Sequence, residues 1–149
     1  VIDLAAWSGE YLAGHPHDRM ADVRLAAPPL GVPVKAQPEM LAQVVGNLID
    51  NACKYSDPGT PVVVSVAVAG GVAILAVEDA GHGIEPAEVG RIFEPFFRST
   101  EARRRGVGGL GLGLSVAARI VRSLGGHIEV KSELCRGSRF TVRLPVATK

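Results

Sequence analysis

The sequence predicts an α/β two-layer sandwich, a mixed sheet of about five strands with three main helices on one face. Three observations predict it. A stretch from Pro38 to about Tyr55 repeats apolar residues at helical spacing, two β-branched runs follow it, and a later helical stretch leads into two alternating strands. The 149 residues are 47% apolar and 21% charged, the balance of one ordinary globular domain, so 1–149 reads as a single unit.

Asp3 is suited to cap a first helix whose apolar stripe runs through Leu4, Trp7, Tyr11 and Leu12 until Gly14-His15-Pro16 interrupts it. Val23 and Leu25 alternate with Asp22 and Arg24 as a short strand. Pro28-Pro29-Leu30-Gly31 then turns the chain and Val32 and Val34 begin another strand, so these two are expected to form a small peripheral pair. Pro38 fits a first helical position, and Leu41, Val44, Val45, Leu48, Ile49 and Ala52 fall on the buried side of the helix it opens. Asp57-Pro58-Gly59 ends that helix. Pro61 to Ala69 and Val72 to Asp79 are apolar at nearly every position, which places them centrally in a covered sheet. The Gly70-Gly71 turn between them makes the uncharged run Val62 to Val77 a hairpin rather than a membrane span. Gly81 to Gly113 has little regular pattern beyond a short helix around Pro86 to Ile92 and the cluster Phe93, Phe96, Phe97; long irregular stretches are usually functional. A helix from about Gly113 to Leu124 stops at Gly125-Gly126. Ile128 and Val130, then Phe140, Val142 and Leu144, mark two closing strands.

Composition narrows the function. Sixteen basic residues against fifteen acidic give a net charge of +1, which provides no general field for nucleic acid or a membrane surface; any anion site must be local. Cys53 and Cys135 have no metal-ligand spacing, and so few cysteines suit a reduced, cytosolic setting. No charged n-region with a following apolar stretch opens the chain, so no signal peptide is expected, and a first residue of Val1 rather than Met predicts a piece excised from something longer. Glycine is in excess: 18 residues, roughly 12% against a usual share of about 7%. Ten of them lie between Gly81 and Gly126, five of these within Gly106 to Gly113.

Three stretches carry candidate chemistry. Gln43, Asn47, Asn51 and Lys54 share the helix face opposite the apolar stripe, where two asparagines in mid-helix carry a propensity cost. Either the face is simply weakly polar, or the amide oxygens bind a hard cation while Lys54 faces an anion. Gly46 beside Asn47 adds a cost of about 1 kcal/mol relative to alanine, which a close approach would explain. Glu78-Asp79-Ala80-Gly81-His82-Gly83-Ile84 sets a carboxylate at a strand end before two glycines. Such a carboxylate accepts hydrogen bonds and can recognise an exocyclic amine, and glycines admit a ring against the backbone; a plain glycine turn is the competing reading. Gly106-Val107-Gly108-Gly109-Leu110-Gly111-Leu112-Gly113-Leu114 leads into a helix, supplying free N–H groups and a positive dipole end to a phosphate chain. Rival motifs fail there. Gly106, Gly108 and Gly111 spell a dinucleotide fingerprint without a preceding strand, no Gly-Lys-Ser/Thr follows, and Ser115 lacks the strand and partners of a nucleophile elbow.

Together these stretches resemble the catalytic ATP-binding domain of two-component sensor histidine kinases, in the GHKL ATPase superfamily with DNA gyrase and MutL. Asn47-Leu48-Ile49-Asp50-Asn51-Ala52-Cys53-Lys54-Tyr55 is similar to that family's N box, and Asp79-Ala80-Gly81-His82-Gly83 to its first glycine box. Phe93-Glu94-Pro95-Phe96-Phe97-Arg98 is similar to its F box, which separates histidine kinases from gyrase-like relatives, and Gly109-Leu110-Gly111-Leu112-Gly113-Leu114 to its second glycine box. The resemblance extends over almost the whole chain and implies the GHKL ATPase fold. Two departures are small: Gln37 replaces an acidic residue before Pro38-Glu39, and His82 fills a variable slot.

The resemblance implies that Asn51 ligates Mg²⁺ on the phosphates of ATP, with Asn47 beside it. It further implies that Lys54 approaches the phosphates, Tyr55 lies against the adenine, and Asp79 accepts the adenine amino hydrogens. Gly81 and Gly83 admit the base, Ile84 and Phe93 complete the pocket, and Gly109, Leu110, Gly111, Leu112, Gly113 and Leu114 cradle the phosphates. Arg98 and one of Arg103, Arg104 or Arg105 would reach the γ-phosphate from a lid spanning Arg98 to Gly108, although a solvated arginine run is an equal reading. Gyrase-like ATPases carry a general-base glutamate at the position of Asn47, and an amide cannot take a proton from water. Transfer of the γ-phosphoryl group to a histidine is therefore expected instead of efficient hydrolysis, with Asn47 and Lys54 in the catalytic set. His15, His17, His82 and His127 all read as structural or solvent-facing, so the acceptor is expected on a separate dimerisation domain of the same kinase, with a response regulator as indirect partner. The sensor and dimerisation domains are expected outside this chain. A cytoplasmic location is expected, whether free or as the cytoplasmic part of a membrane-bound sensor, with no direct membrane or nucleic-acid contact. Two rivals stay open: a serine kinase of the anti-sigma type, and a nucleotide-sensing module without transfer.

Overall fold

A computed structural model of the chain describes residues 1–14, 20–26, 31–98 and 112–147. The chain order is β1 (Ile2–Asp3), α1 (Leu4–Gly14), a 3₁₀ turn (Met20–Asp22), β2 (Val23–Ala26), β3 (Pro33–Val34), α2 (Pro38–Lys54), β4 (Val62–Ala69) and β5 (Val72–Asp79). A second 3₁₀ turn (Val89–Arg91), α3 (Gly113–Ser123), β6 (His127–Glu133) and β7 (Gly137–Pro145) follow. The main sheet has the order β2-β4-β5-β7-β6, antiparallel except for the parallel pair β2 and β4, so it is mixed and five-stranded as expected.

Alternation along the strands divides the sheet into two faces. Val62, Val64 and Val66 of β4, Leu75 and Val77 of β5, and Phe140, Val142 and Leu144 of β7 are buried in one core with Leu41, Val44, Val45, Leu48 and Ile49 of α2 and Ala117 and Val121 of α3. The opposite face of β5, β6 and β7 carries ions: Arg139 pairs with Glu78 at 3.0 Å and Arg143 with Glu129 at 3.3 Å. The hydrogen bond from His127, and then that from Arg143, holds the Glu129 carboxyl below its ordinary range.

Asp3 does more than cap a helix. One carboxylate oxygen accepts the Ala5 N–H at 3.0 Å and the other the Gly31 N–H at 2.9 Å, so α1 is tied to the approach of β3. These bonds, the one from Gly31 foremost, lower its pKa. Two expectations are corrected. The strands at Val23 and Val34 do not pair: β3 joins β1, while β2 lies parallel to β4, a pairing made possible by the crossover through α2. The helix expected over Pro86 to Ile92 is a single 3₁₀ turn at Val89–Arg91, because the chain advances by three-residue bonds, Glu88 N–H to Glu85, Arg91 N–H to Glu88 and Glu94 N–H to Arg91. Among the described residues no helix is long and apolar enough to cross a membrane.

Candidate nucleotide site

The site lies where the C-terminal half of α2, the end of β5 and the start of β7 converge. Asn51, Tyr55, Asp79, Gly83, Ile84 and Leu114 line one pocket, with Ile92, Phe97, Ser138 and Phe140. Six of the residues singled out in sequence are thus brought together. The pocket has an apolar body and few polar groups, the usual make-up of a small-molecule site.

Its inner end is built by close backbone contact. Asp79 ends β5 with only 5% of its surface exposed, and its Oδ1 accepts the Gly81 N–H at 2.9 Å. The Tyr55 carbonyl accepts the His82 N–H at 3.0 Å, and the His82 carbonyl accepts the Cys135 N–H at 2.9 Å, so the loop after β5 is clasped between α2 and the β6–β7 turn. A β-carbon at Gly81 would collide with the Tyr55 carbonyl oxygen, one at Gly83 (φ 73°) with that of Glu133, and one at Gly137 (φ 121°) with that of Asp79. These glycines make room for protein backbone, and only Gly83 of the three also lines the pocket. Burial raises the Tyr55 phenol pKa, and the positive charges of Lys54 and Arg98 oppose that rise.

Asn47, Lys54, Leu112 and Gly113, also singled out in sequence, are not among the residues that line the pocket. Asn47 donates from Nδ2 to the Gly113 carbonyl at 3.1 Å, joining α2 to the first residue of α3. Lys54 is exposed and pairs with Asp50 at 3.0 Å. Leu112 precedes α3 and its carbonyl accepts the Ser115 hydroxyl at 2.9 Å, which gives Ser115 a local helix role. Gly109, Leu110 and Gly111, with the Arg103-Arg104-Arg105 run and His15 and His17, lie outside the described residues. Phe93 sits edge-on to Phe140 with ring centroids 6.1 Å apart, but it is Phe97 and Phe140, and not Phe93 as expected, that line the pocket. Arg91 covers the Phe97 ring at 4.7 Å.

Four wall residues escaped the sequence reading. Phe97 was named in the aromatic cluster and the F box but not as a site residue, and the alternation of β7 gave Phe140 as core without showing that the core edge is also the pocket wall. Ser138 faces Asp79 across the β5–β7 ladder, a register that no local motif encodes. Among the described residues no group of three His, Cys, Asp or Glu side chains is placed to hold a metal. A half-buried Asn51 amide lining the pocket fits Mg²⁺, a hard cation that accepts an amide oxygen and keeps several waters.

Residues 36–148 match the family described as histidine kinase-, DNA gyrase B- and HSP90-like ATPase. The chain is 37% identical over 139 residues to the sensor histidine kinase AtsR of Burkholderia thailandensis, an alignment covering 91% of this chain and 23% of AtsR. It therefore spans less than a quarter of that relative's length. The mycobacterial sensor histidine kinase MprB superposes with a TM-score of 0.82 at 30% identity, covering 99% of both chains. Full-length ShkA in complex with AMPPNP superposes with a TM-score of 0.78 at 27% identity, covering 99% of this chain and 31% of ShkA. With a mixed five-stranded sheet and three helices among the described residues, and N-box and glycine-box residues gathered at one pocket, the chain belongs to this ATPase family as a histidine kinase catalytic domain.

Proposed function

We propose that this domain binds Mg-ATP in the pocket between α2 and β7 and donates the γ-phosphoryl group to a histidine on a separate dimerisation domain of the same kinase. The observation that carries the reading is the pairing of a deeply buried Asp79 with Asn51 and Tyr55 around one apolar slot. A carboxylate there accepts the adenine amino hydrogens, Tyr55, Ile84, Ile92 and Phe97 enclose the ring, and Leu114 with Gly113 turns the N-terminus of α3 towards the phosphates. Asn51 would hold Mg²⁺, which supplies neutralisation of charge on the transferring group.

Asn47 supports transfer over hydrolysis. Its amide is engaged with the Gly113 carbonyl and has no basic lone pair to take a proton from water. Lys54 reaches a phosphate by leaving Asp50, an exchange of one exposed ion pair for another at little cost. On this reading 1–149 is one catalytic unit, the sensor and dimerisation domains lie on other segments of a cytoplasmic kinase module, and a response regulator receives the phosphoryl group afterwards.

The test is transfer from γ-labelled ATP to a purified histidine-bearing dimerisation domain. An acid-labile, base-stable phosphoprotein is the expected product. An acid-stable product points to a serine kinase, and tight binding without transfer to any such acceptor points to a sensing module; either contradicts the proposal.

A further inference from the structure

We infer that Ser132 is a positioning residue for the base end of the pocket, holding the walls formed by Ile84 and Ser138 against Asp79 and so setting the preference for adenine. The inference rests on the reading of the pocket as an ATP site. Ser132 lies on β6, on the face that carries Ile128 and Val130, and is not itself a lining residue. Its Oγ accepts the Ile84 N–H at 2.7 Å, shares a hydrogen with the Ser138 Oγ at 2.8 Å and lies 3.2 Å from the Gly137 carbonyl. Ile84 and Ser138 both line the pocket, and Ser138 stands opposite Asp79 in the β5–β7 register, with both side chains buried.

A serine hydroxyl has one hydrogen and two acceptor sites. The Ile84 N–H takes one acceptor site, and in the arrangement that reads a base the Ser132 hydrogen goes to the Ser138 Oγ, which leaves the Ser138 hydrogen for the ligand. That makes it a link between three segments: the loop after β5, the end of β6 and the start of β7. Adenine presents an amino donor beside a ring-nitrogen acceptor, and guanine presents the opposite order. Asp79 and a fixed Ser138 hydroxyl side by side match the first order, and the match depends on their spacing. Without the Ser132 hydroxyl, the partly buried Ile84 N–H loses its acceptor and the Ser138 hydroxyl turns freely, so base discrimination falls while the phosphate end is untouched.

The experiment is a double-mutant cycle on the whole 149-residue chain, read as the Kd for Mg-ATP and for Mg-GTP, with thermal unfolding in parallel. Ser132→Ala is expected to weaken Mg-ATP about tenfold and leave Mg-GTP unchanged. Ser132→Thr, which keeps the hydroxyl, is expected to restore the parent ratio. Ser132→Ala combined with Ser138→Ala should lose no more discrimination than the larger single change. Equal weakening of both nucleotides, failure of the threonine rescue, or additive losses would overturn the inference. Asp79→Asn serves as the reference: if it weakens Mg-ATP while Ser132→Ala does not, this inference alone fails, and if it has no effect the adenine reading fails and takes this one with it.

Discussion

The two ends of the pocket are built by opposite means. At the end proposed to take the base, three glycines let backbone meet backbone: Gly81 against Tyr55, Gly83 against Glu133 and Gly137 against Asp79. Around the end proposed for the phosphates the contacts are made by side chains that can exchange partners, the Asn47 amide with the Gly113 carbonyl and Lys54 with Asp50. The difference teaches where specificity and chemistry can reside. A recognition edge needs fixed donors and acceptors, which close packing supplies, whereas charge that moves during transfer suits groups that trade one partner for another.

Substitutions should divide along the same line. The largest effect is expected from Gly137→Ala, which puts a β-carbon into the Asp79 carbonyl at a φ of 121° that alanine does not favour. A loss of about 3 kcal/mol in denaturant-measured stability is expected, together with loss of nucleotide binding. The matching change at the other end, Gly113→Ala, meets only ordinary contact with the Asn47 side chain, at 3.7 Å or more, and should leave stability nearly unaltered. Equal stability losses at both glycines would erase the contrast.

Next comes Asp79→Asn, expected to weaken Mg-ATP by about 1.5–3 kcal/mol, the range for a hydrogen bond to a charged group, as read by calorimetry. Asn51→Ala should reduce the gain in affinity that Mg²⁺ confers, and titrations that show the same Mg²⁺ dependence as the parent would remove its metal role. Asp50→Asn frees Lys54 from an exposed pair on the helix, so a stability change of no more than about 0.5 kcal/mol is expected. A larger loss would show the phosphate end to be as rigidly built as the base end.

The smallest effect lies outside the pocket. Folding lowers the Asp3 pKa, so its contribution is present above the unfolded value of about 3.9 and disappears as pH falls through the folded value. Asp3→Asn should therefore flatten the acid limb of the stability profile and do nothing to the ratio of nucleotide affinities.

Much of this arrangement was legible in the sequence because it is local. Helical spacing gave α2 and its polar face, the β-branched runs gave β4 and β5, and the ordered boxes placed Asn51, Tyr55, Asp79 and Leu114 in one site. What depended on pairing between distant segments was not legible. Val23 to Ala26 reads the same whether it joins β3 or β4, and only the crossover through α2 decides it. Gly137, Ser138 and Ser132 carry no local signature, since their roles arise from register with Asp79 and from a bond to Ile84 forty-eight positions away. Nor is it legible that a β-carbon at Gly81 or Gly83 would meet the carbonyl oxygen of Tyr55 or Glu133, since both contacts come from distant segments.

The most direct measurement follows backbone amide shifts while adenosine, and then Mg-ATP, is titrated into the labelled chain. Adenosine should move the signals of Asp79 to Ile84 and of Gly137 to Phe140, and the triphosphate should add those of Asn47, Asn51 and Leu112 to Leu114. If adenosine perturbs only the second set, or if neither ligand reaches Asp79, the base does not sit on that carboxylate and the division between the two ends is wrong.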